Sequence, residues 1–534
     1  MLTALLLALL PPLPQEDWIP LPVPALCLAR PDPVPFFPYV PLASGSHFML
    51  EEPGFGTGTR GGSYHLPVEV LIELLEGQAR AAGGTLQVRR PAPPLLVSGT
   101  EEELARASDL VRELDAAGIE REIDLELWLV PGPDPGGGPP AVPPASAEPG
   151  AAAYRRDRAL PGQRVAVGAR RTTPFLATYE VEVSTGSGTA DPVIGTVLHG
   201  YTAECRAWRM RGGRELFVAG RLDLAELAEL EDFDTDSPDL GVLQQPTVRV
   251  AAVHFAGRVP NGDHLQVEVR GAPLEKPDWT LYVRAGGALD GARGERAWRC
   301  ADLSLLETEV LDLPLPLPGA GLDPGFAQDP PRIVLEAMPA AALWGELEAG
   351  RGRRGTGGAG RDLSPLTYAP GFLIASGSDA ELWSRADALL RAAEKARSRT
   401  AELELGSGRL QVRLPVAQGY PARVMVGTER THVGDYDAEI ASEMWMSVPA
   451  VARSFDGVLV QGRLAGDGFP ATYWIATSGA AAELGPRETT HGRLRLAGRS
   501  LRAGSATPRA GTPGFALPAG PAGDAGLELR LRTP

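Results

Sequence analysis

Seven histidines, three cysteines and a short serine-bearing loop are the side chains of this 534-residue chain with the chemistry to bind a metal or attack a substrate. Their spacing serves neither purpose. His47, His65, His199, His254, His264, His432 and His491 are scattered, with no His-x-x-x-His pair, and Cys27, Cys205 and Cys300 form no Cys-x-x-Cys. His254 and His264 flank Asn261-Gly262 and could face each other across two strands, but a metal would need a third ligand that the sequence does not supply. A cross-strand polar pair is the simpler reading. Cys205 and Cys300 could bridge, or stand as unpaired small core residues. Ser184-Thr185-Gly186-Ser187-Gly188 has the look of a nucleophile loop, yet a β segment follows where a strained elbow needs a helix. Glu101, Glu102 and Glu103 have no partner base and suit the start of a helix, where they oppose its dipole. Gly54-x-Gly56-x-Gly58 lacks the strand before it and the helix after it that a phosphate loop requires. No residue is nominated as catalytic, cofactor-binding or metal-binding, and the chain reads as a non-enzyme without a cofactor.

Composition narrows the class further. A formal charge of −16 argues against a nucleic-acid partner, because phosphate binding relies on clustered Lys and Arg. The one short basic stretch, Arg351-Gly352-Arg353-Arg354-Gly355, reads as exposed connector. Lys276 and Lys395 are the only lysines and Asn261 the only asparagine, a skew that fits a GC-rich genome and strips the arginines of special meaning. The apolar run within Met1–Leu13 resembles a signal-peptide core, so residues 1–20 are expected to direct export. No later stretch is apolar for the eighteen or so residues of a membrane-spanning helix, so any insertion in a membrane would be by strands.

The elements come in two styles. After a Pro/Gly-rich arm over 21–61, Tyr64-His65-Leu66 reads as a strand, and Val68, Leu71, Ile72 and Leu75 share one helix face that Gly83-Gly84 ends. Thr85–Val88 and Leu95–Val97 read as strands. Thr100 with Glu103 forms a capping box ahead of Leu104, Ala107, Val111 and Leu114, and Ile123–Val130 reads as a closing strand. This is β-α-β-β-α-β. Residues 131–150, rich in Pro, Gly and Ala, read as a linker. Beyond them the period becomes two, as in Tyr179, Val181 and Val183. Cys205–Met210 is expected to pair with Leu216–Gly220 across Arg211-Gly212-Gly213, and Val248–Phe255 with Leu265–Val269 across Asn261-Gly262.

Both styles recur. Leu95-Leu96-Val97-Ser98-Gly99-Thr100 matches Leu373-Ile374-Ala375-Ser376-Gly377-Ser378 at an offset of 278 (376 − 98), through to Leu125-Glu126-Leu127 against Leu403-Glu404-Leu405. Tyr179–Val183 matches Tyr436–Ile440 at an offset of 257 (436 − 179), and the match continues to Asp191-Pro192-Val193-Ile194 against Val448-Pro449-Ala450-Val451. The second copy is expected to carry a strand at Arg332–Glu336, a helix at Ala340–Leu347, a strand at Leu373–Ala375, a helix at Asp379–Ala393 and a strand at Ala401–Leu405. Trp128, Trp208, Trp279, Trp344, Trp383, Trp445 and Trp474 run through both copies and suit cores better than sugar sites.

The order of a Val-Ser-Gly-Thr turn into an acidic-capped helix, a Glu-rich strand and an Asp-Pro-Val-x-Gly β segment resembles the secretin family of bacterial secretion systems and pili. Leu95–Val130 resembles half of that family's ring-building domain, and Tyr179–Leu222, with Asp191-Pro192, Gly195 and Gly200, the opening of its β domain. The chain departs from the family in carrying two β parts, and in having only Asp312-Leu313-Pro314-Leu315 for the family's closing motif. The resemblance implies an α+β fold of tandem βαββαβ (KH-like, ring-building) modules, each followed by a β-rich secretin-like module. The divisions are 62–130 and 329–405 for the αβ modules, 151–285 and 406–534 for the β-rich ones, and 286–328 for a connector. It implies an exported, non-enzymatic protein of the periplasm or envelope that assembles with itself or with secretion components, with membrane association left open. The alternative is a soluble exported scaffold or binding protein that keeps the fold without a pore.

Overall fold

The computed structural model describes residues 18–24, 27, 68–89, 94–119, 122–132, 152–184, 187–210, 213–236, 240–272, 274–276, 278–287, 298–302, 310–312, 332–334, 367–369, 372–376, 380–407, 410–418, 420–441, 444–478, 487–489, 492–494, 499–511, 515–516 and 528–532. Met1–Leu13, Tyr64–Leu66, the Gly54 loop, Arg351–Gly355 and Ala340–Leu347 lie outside them. The described residues are mostly strand, in several antiparallel sheets.

Two eight-stranded sheets dominate. One holds the long strands β6 (Val165–Ser184), β7 (Ser187–Arg209), β8 (Glu215–Asp234), β9 (Val242–Pro260), β19 (Pro421–Ala441), β20 (Met444–Arg463), β21 (Ala471–Ser478) and β24 (Arg499–Ala506). They lie in the order β24-β21-β20-β19-β9-β8-β7-β6. The other holds β4 (Ile123–Pro131), β5 (Ala153–Ala159), β10 (His264–Arg270), β11 (Trp279–Gly286), β17 (Thr400–Ser407), β18 (Leu410–Ala417), β25 (Phe515–Ala516) and β26 (Glu528–Arg532), in the order β25-β26-β17-β18-β10-β11-β4-β5. Alternate residues of both sheets meet in one apolar layer: Leu125, Leu127 and Leu129 of β4, Leu222 and Leu224 of β8, Val253 and Phe255 of β9, Leu403 of β17 and Val424 of β19. Each such chain withdrawn from water contributes roughly 1.5–3 kcal/mol. Gly220 makes room in this layer, since a Cβ there would lie 2.7 Å from the Phe255 ring.

A small sheet of β1 (Ile19–Leu21), β3 (Leu95–Ser98) and β2 (Gln87–Arg89) carries helices α1 (Val68–Ala81) and α2 (Glu101–Ile119). Leu71, Leu74, Leu75, Leu110, Val111 and Leu114 fill the space between. A counterpart joins β12 (Trp298–Asp302), β16 (Phe372–Ser376) and β15 (Thr367–Ala369), followed by α3 (Ala380–Ala396). Trp383, Ala386 and Ala393 of α3 fall at helical spacing and pack on Trp208, Phe217 and Ala256, the reverse face of the long-strand sheet. β13 (Val310–Asp312) with β14 (Arg332–Val334), and β22 (Arg487–Thr489) with β23 (Gly492–Leu494), form two further two-stranded sheets.

Several expectations are corrected here. Ile123–Val130 and Ala401–Leu405 do not close the αβ sheets: as β4 and β17 they belong to the eight-stranded layer, where their alternating leucines find the larger apolar face. The third strand of each small sheet comes from elsewhere, β1 within the supposed signal and arm and β12 within the supposed connector. Arg332–Val334 pairs with β13 instead of joining the second αβ sheet. Residues 131–150 are not an interdomain linker, because β4 and β5 on either side are antiparallel neighbours from Ile123↔Ala159 to Leu129↔Ala153. In the second copy the equivalent strands β17 and β18 pair down to Ser407↔Leu410. Duplicated KH-like modules are therefore not established by the described residues, although β3 and α2 are matched by β16 and α3.

Candidate assembly interface

The repeated β segments are the same structure twice. In β6–β7 the pairing runs from Val165↔Cys205 to Ser184↔Ser187, and in β19–β20 from Ala422↔Gly462 to Ala441↔Met444, each partner 257 residues on (422 − 165). The break in register is duplicated too. Ala177 is skipped between Leu176 and Thr178, and Gly434 between Val433 and Asp435. Beyond the bulge Tyr179 donates its hydroxyl to Val242 O at 3.3 Å, whereas its counterpart Tyr436 reaches Thr235 O at 3.4 Å.

The two copies join head to tail. β9, the last long strand of the first copy, pairs with β19, the first of the second, from Arg423↔His254 to Arg430↔Thr247. In the other layer β10 pairs with β18, from Glu268↔Arg413 to Arg270↔Gln411. Both sheets thus cross the joint unbroken.

A polar row crosses it as well: Glu204, Arg221, His254, Arg423 and Gln461 are successive cross-strand partners on β7, β8, β9, β19 and β20. The last four are buried. Arg221 Nε lies 2.5 Å from Asp223 Oδ2, and burial pushes the Asp223 carboxyl up to about 7 against the pull of Arg221. Burial, with Arg221 and Arg423 on either side, holds His254 well below the usual imidazole range, so it sits neutral between two guanidinium groups. On the far face of the other sheet a second charge pattern is duplicated. Glu126 lies 3.3 Å from Arg156 and 3.8 Å from Arg284, and Glu404 lies 3.0 Å from Arg413 and 2.8 Å from Arg532. None of these groups is arranged as nucleophile and base.

The histidines singled out by sequence do not meet. His254 faces the polar row on β9, while His264 on β10 lies 3.2 Å from Asp263 and edge-on to Tyr282. Asn261-Gly262 makes no hairpin. It carries the chain from one layer to the other, with Gly262 at φ +89°. Asn261 explains its own identity: its amide donates to Gly213 O and Gly287 O, both at 2.9 Å, and accepts from Gly287 N at 3.0 Å. The other hairpin stands, with Arg209↔Leu216 beside Arg211-Gly212-Gly213. Ser184 and Ser187 hydrogen-bond each other at 2.7 Å on either side of the β6–β7 turn, with strand on both sides. Cys27 and Cys205 are buried free thiols, which removes the Cys205–Cys300 bridge: Cys205 points into the layer between the large sheets, while Cys300 lies on a small sheet. Trp128, Trp208, Trp279 and Trp383 are buried. Among the described residues no cluster of His, Cys, Asp and Glu could hold a metal.

Sequence reading missed the polar row. The available signal was Arg221-Leu222-Asp223-Leu224, whose alternation reads as a solvent-facing strand until both faces are covered.

The outermost edges of this continuous structure are β6 and β5 on one side and β24 and β25 on the other. Gly168, Arg171, Thr172 and Pro174 are exposed along β6, whereas 423–427 and 429, the counterparts of 166–170 and 172, are buried at the joint. No protein-family model matches the chain, and no curated protein matches it. Among solved structures the chain is similar to the secretin-domain β-barrel of InvG from the Salmonella SPI-1 injectisome NC-base, at 15% identity and a TM-score of 0.24, over 42% of this chain and 81% of that one.

Proposed function

We propose that this protein is a non-enzymatic structural subunit of an oligomeric envelope assembly, secretin-like in construction and serving protein secretion or a pilus system. The observation that carries the reading is the head-to-tail joint of two double-layered β units, which among the described residues leaves β6 and β5 at one end and β24 and β25 at the other as edge strands. An open edge presents unpaired N–H and C=O groups and is a template for further strands. The secretin resemblance of Tyr179–Leu222 and the apolar Met1–Leu13 stretch support the envelope setting. The partners on this reading are further copies of the chain or other envelope components.

Cell fractionation followed by native electrophoresis in mild detergent tests it. The expected result is a multimer in the envelope fraction. A monodisperse monomer at all concentrations, with no membrane association, overturns it.

A further inference from the structure

We propose that copies of this chain join each other at a defined register, β24 of one against β6 of the next, reproducing between chains the joint that β9 and β19 make within one. The inference deepens the assembly reading above by naming the partner as a second copy and the edges as unlike ones.

The register follows from the duplication. β19 equals β6 moved by 257, as the paired bulges fix. β24 equals β9 moved by 251: the row Cys205↔Gly220↔Phe255 across β7, β8 and β9 corresponds to Gly462↔Ala471↔Ala506 across β20, β21 and β24, with 471 − 220 = 251 and 506 − 255 = 251. Moving Arg423↔His254 back and forward by these amounts places Ala166 opposite Ser505 of the next chain, and moving Glu429↔Val248 places Thr172 opposite Arg499. All seven pairs between these limits fall inside β6 and β24. Pro174, which has no N–H to give, lies just past the end of the stretch and closes it.

The two edges differ in sequence and cannot pair with themselves in this register, so the contact is heterologous and propagates into a ring or a filament. Each chain brings two units, and a closed ring therefore holds an even number of them. The exposed state of Gly168, Arg171 and Thr172 is the state that β19 would have without β9.

Cysteine pairs in the full-length chain test the register. Arg171→Cys with Ser500→Cys matches the proposed pair, and Arg171→Cys with Arg502→Cys is shifted by two residues, about 7 Å along the strand and beyond the reach of a disulfide. Arg249→Cys with Thr428→Cys, partners across the internal joint, should close within one chain and report folding and oxidation. The native chain, with Cys27 and Cys205 buried, is the blank. Mild oxidation of the matched variant is expected to give a ladder of covalent dimers, trimers and higher species, about tenfold stronger than the shifted variant, since bridging demands close Cα atoms. Equal ladders from both variants, or covalent dimers from Arg171→Cys alone, overturn the proposal. So does a multimer in the envelope fraction in which only the internal bridge closes, and that outcome leaves the assembly reading standing. A matched ladder from protein absent from the envelope supports the joint and sinks the envelope role instead.

Discussion

Ala177 and Gly434 are one bulge seen twice: each is the residue passed over in its ladder, and they stand 257 positions apart (434 − 177). A bulge resets which face a strand presents, so beyond Ala177 residues such as Val181 lie on the face opposite to the one a regular strand would give them.

Deleting Ala177 should therefore reverse the faces of one half of β6 and expose Val181, now packed with Leu240 and Met446. The expected loss is about 2 kcal/mol, the burial of one aliphatic side chain. Urea denaturation checks it, and an unchanged midpoint would refute the role given to the bulge.

Glu103 completes the capping box that sequence reading anticipated: it accepts from Thr100 N at 2.7 Å, and its own N–H donates to Thr100 Oγ1 at 3.3 Å. It also accepts from Thr85 N at 2.6 Å. The Thr100 backbone bond, the Thr100 hydroxyl and the Thr85 bond hold its carboxyl below the ordinary value of 4.5. A depressed carboxylate stabilises the fold fully above its unfolded value, and that stabilisation is lost as pH falls through the folded value. Glu103→Gln should lower the melting temperature at pH 7, with the gap to the native protein closing as pH drops below about 4.5. Parallel melting curves at both pH values would refute this.

Asp223 carries the opposite sign. Its carboxyl is raised from 3.8 to about 7, so the folded chain keeps a proton that the unfolded chain has released, and stability falls as pH rises through that window. Asp223→Asn should remove that slope, so its stability relative to the native protein rises between pH 4 and pH 8. Arg221, Arg423, Glu204 and neutral His254 remain in both proteins, and their contributions cancel to first order in the comparison. Equal pH profiles by urea denaturation would count against a buried protonated Asp223.

Trp383 anchors α3 on the sandwich through Trp208, Phe217 and Tyr420. Trp383→Ala should cost about 3–5 kcal/mol, as large buried aromatics do when truncated to alanine. Calorimetry measures the loss, and a cost under about 1 kcal/mol would mean that α3 docks by other means.

Asn261→Ala removes two donated bonds and one accepted bond from the crossing between layers. The expected cost is about 1–3 kcal/mol, from partners left unsatisfied. Asn261→Asp keeps the acceptor alone and should recover only part of it in the same denaturation assay.

The chain's local signals were legible one element at a time. Thr100 and Glu103 announced a helix start, Leu71 and Leu75 a helix face, and Arg211-Gly212-Gly213 a hairpin, because caps, faces and tight turns depend on residues a few positions apart. The duplication was legible as well, since it needs only the chain compared with itself. Asn261-Gly262 misleads for a reason of the same kind: the dipeptide encodes a positive φ and a change of direction, and whether the next strand pairs beside the last or crosses to another layer is decided elsewhere.

Sequence alone determined the repeat of the β segments, its offset of 257 and the apolar side of strands such as Ile123–Val130. Tertiary structure decided the neighbours. Ile123, Leu125, Leu127 and Leu129 specify a buried face, and that face fits a small αβ sheet or a large sandwich equally well. Arg221 and Asp223 look solvated until the sheet's second face is covered. Strand pairing is a contact between distant segments, set by total burial across both layers and by backbone ladders that carry no side-chain code, so it is settled only when the whole sheet forms.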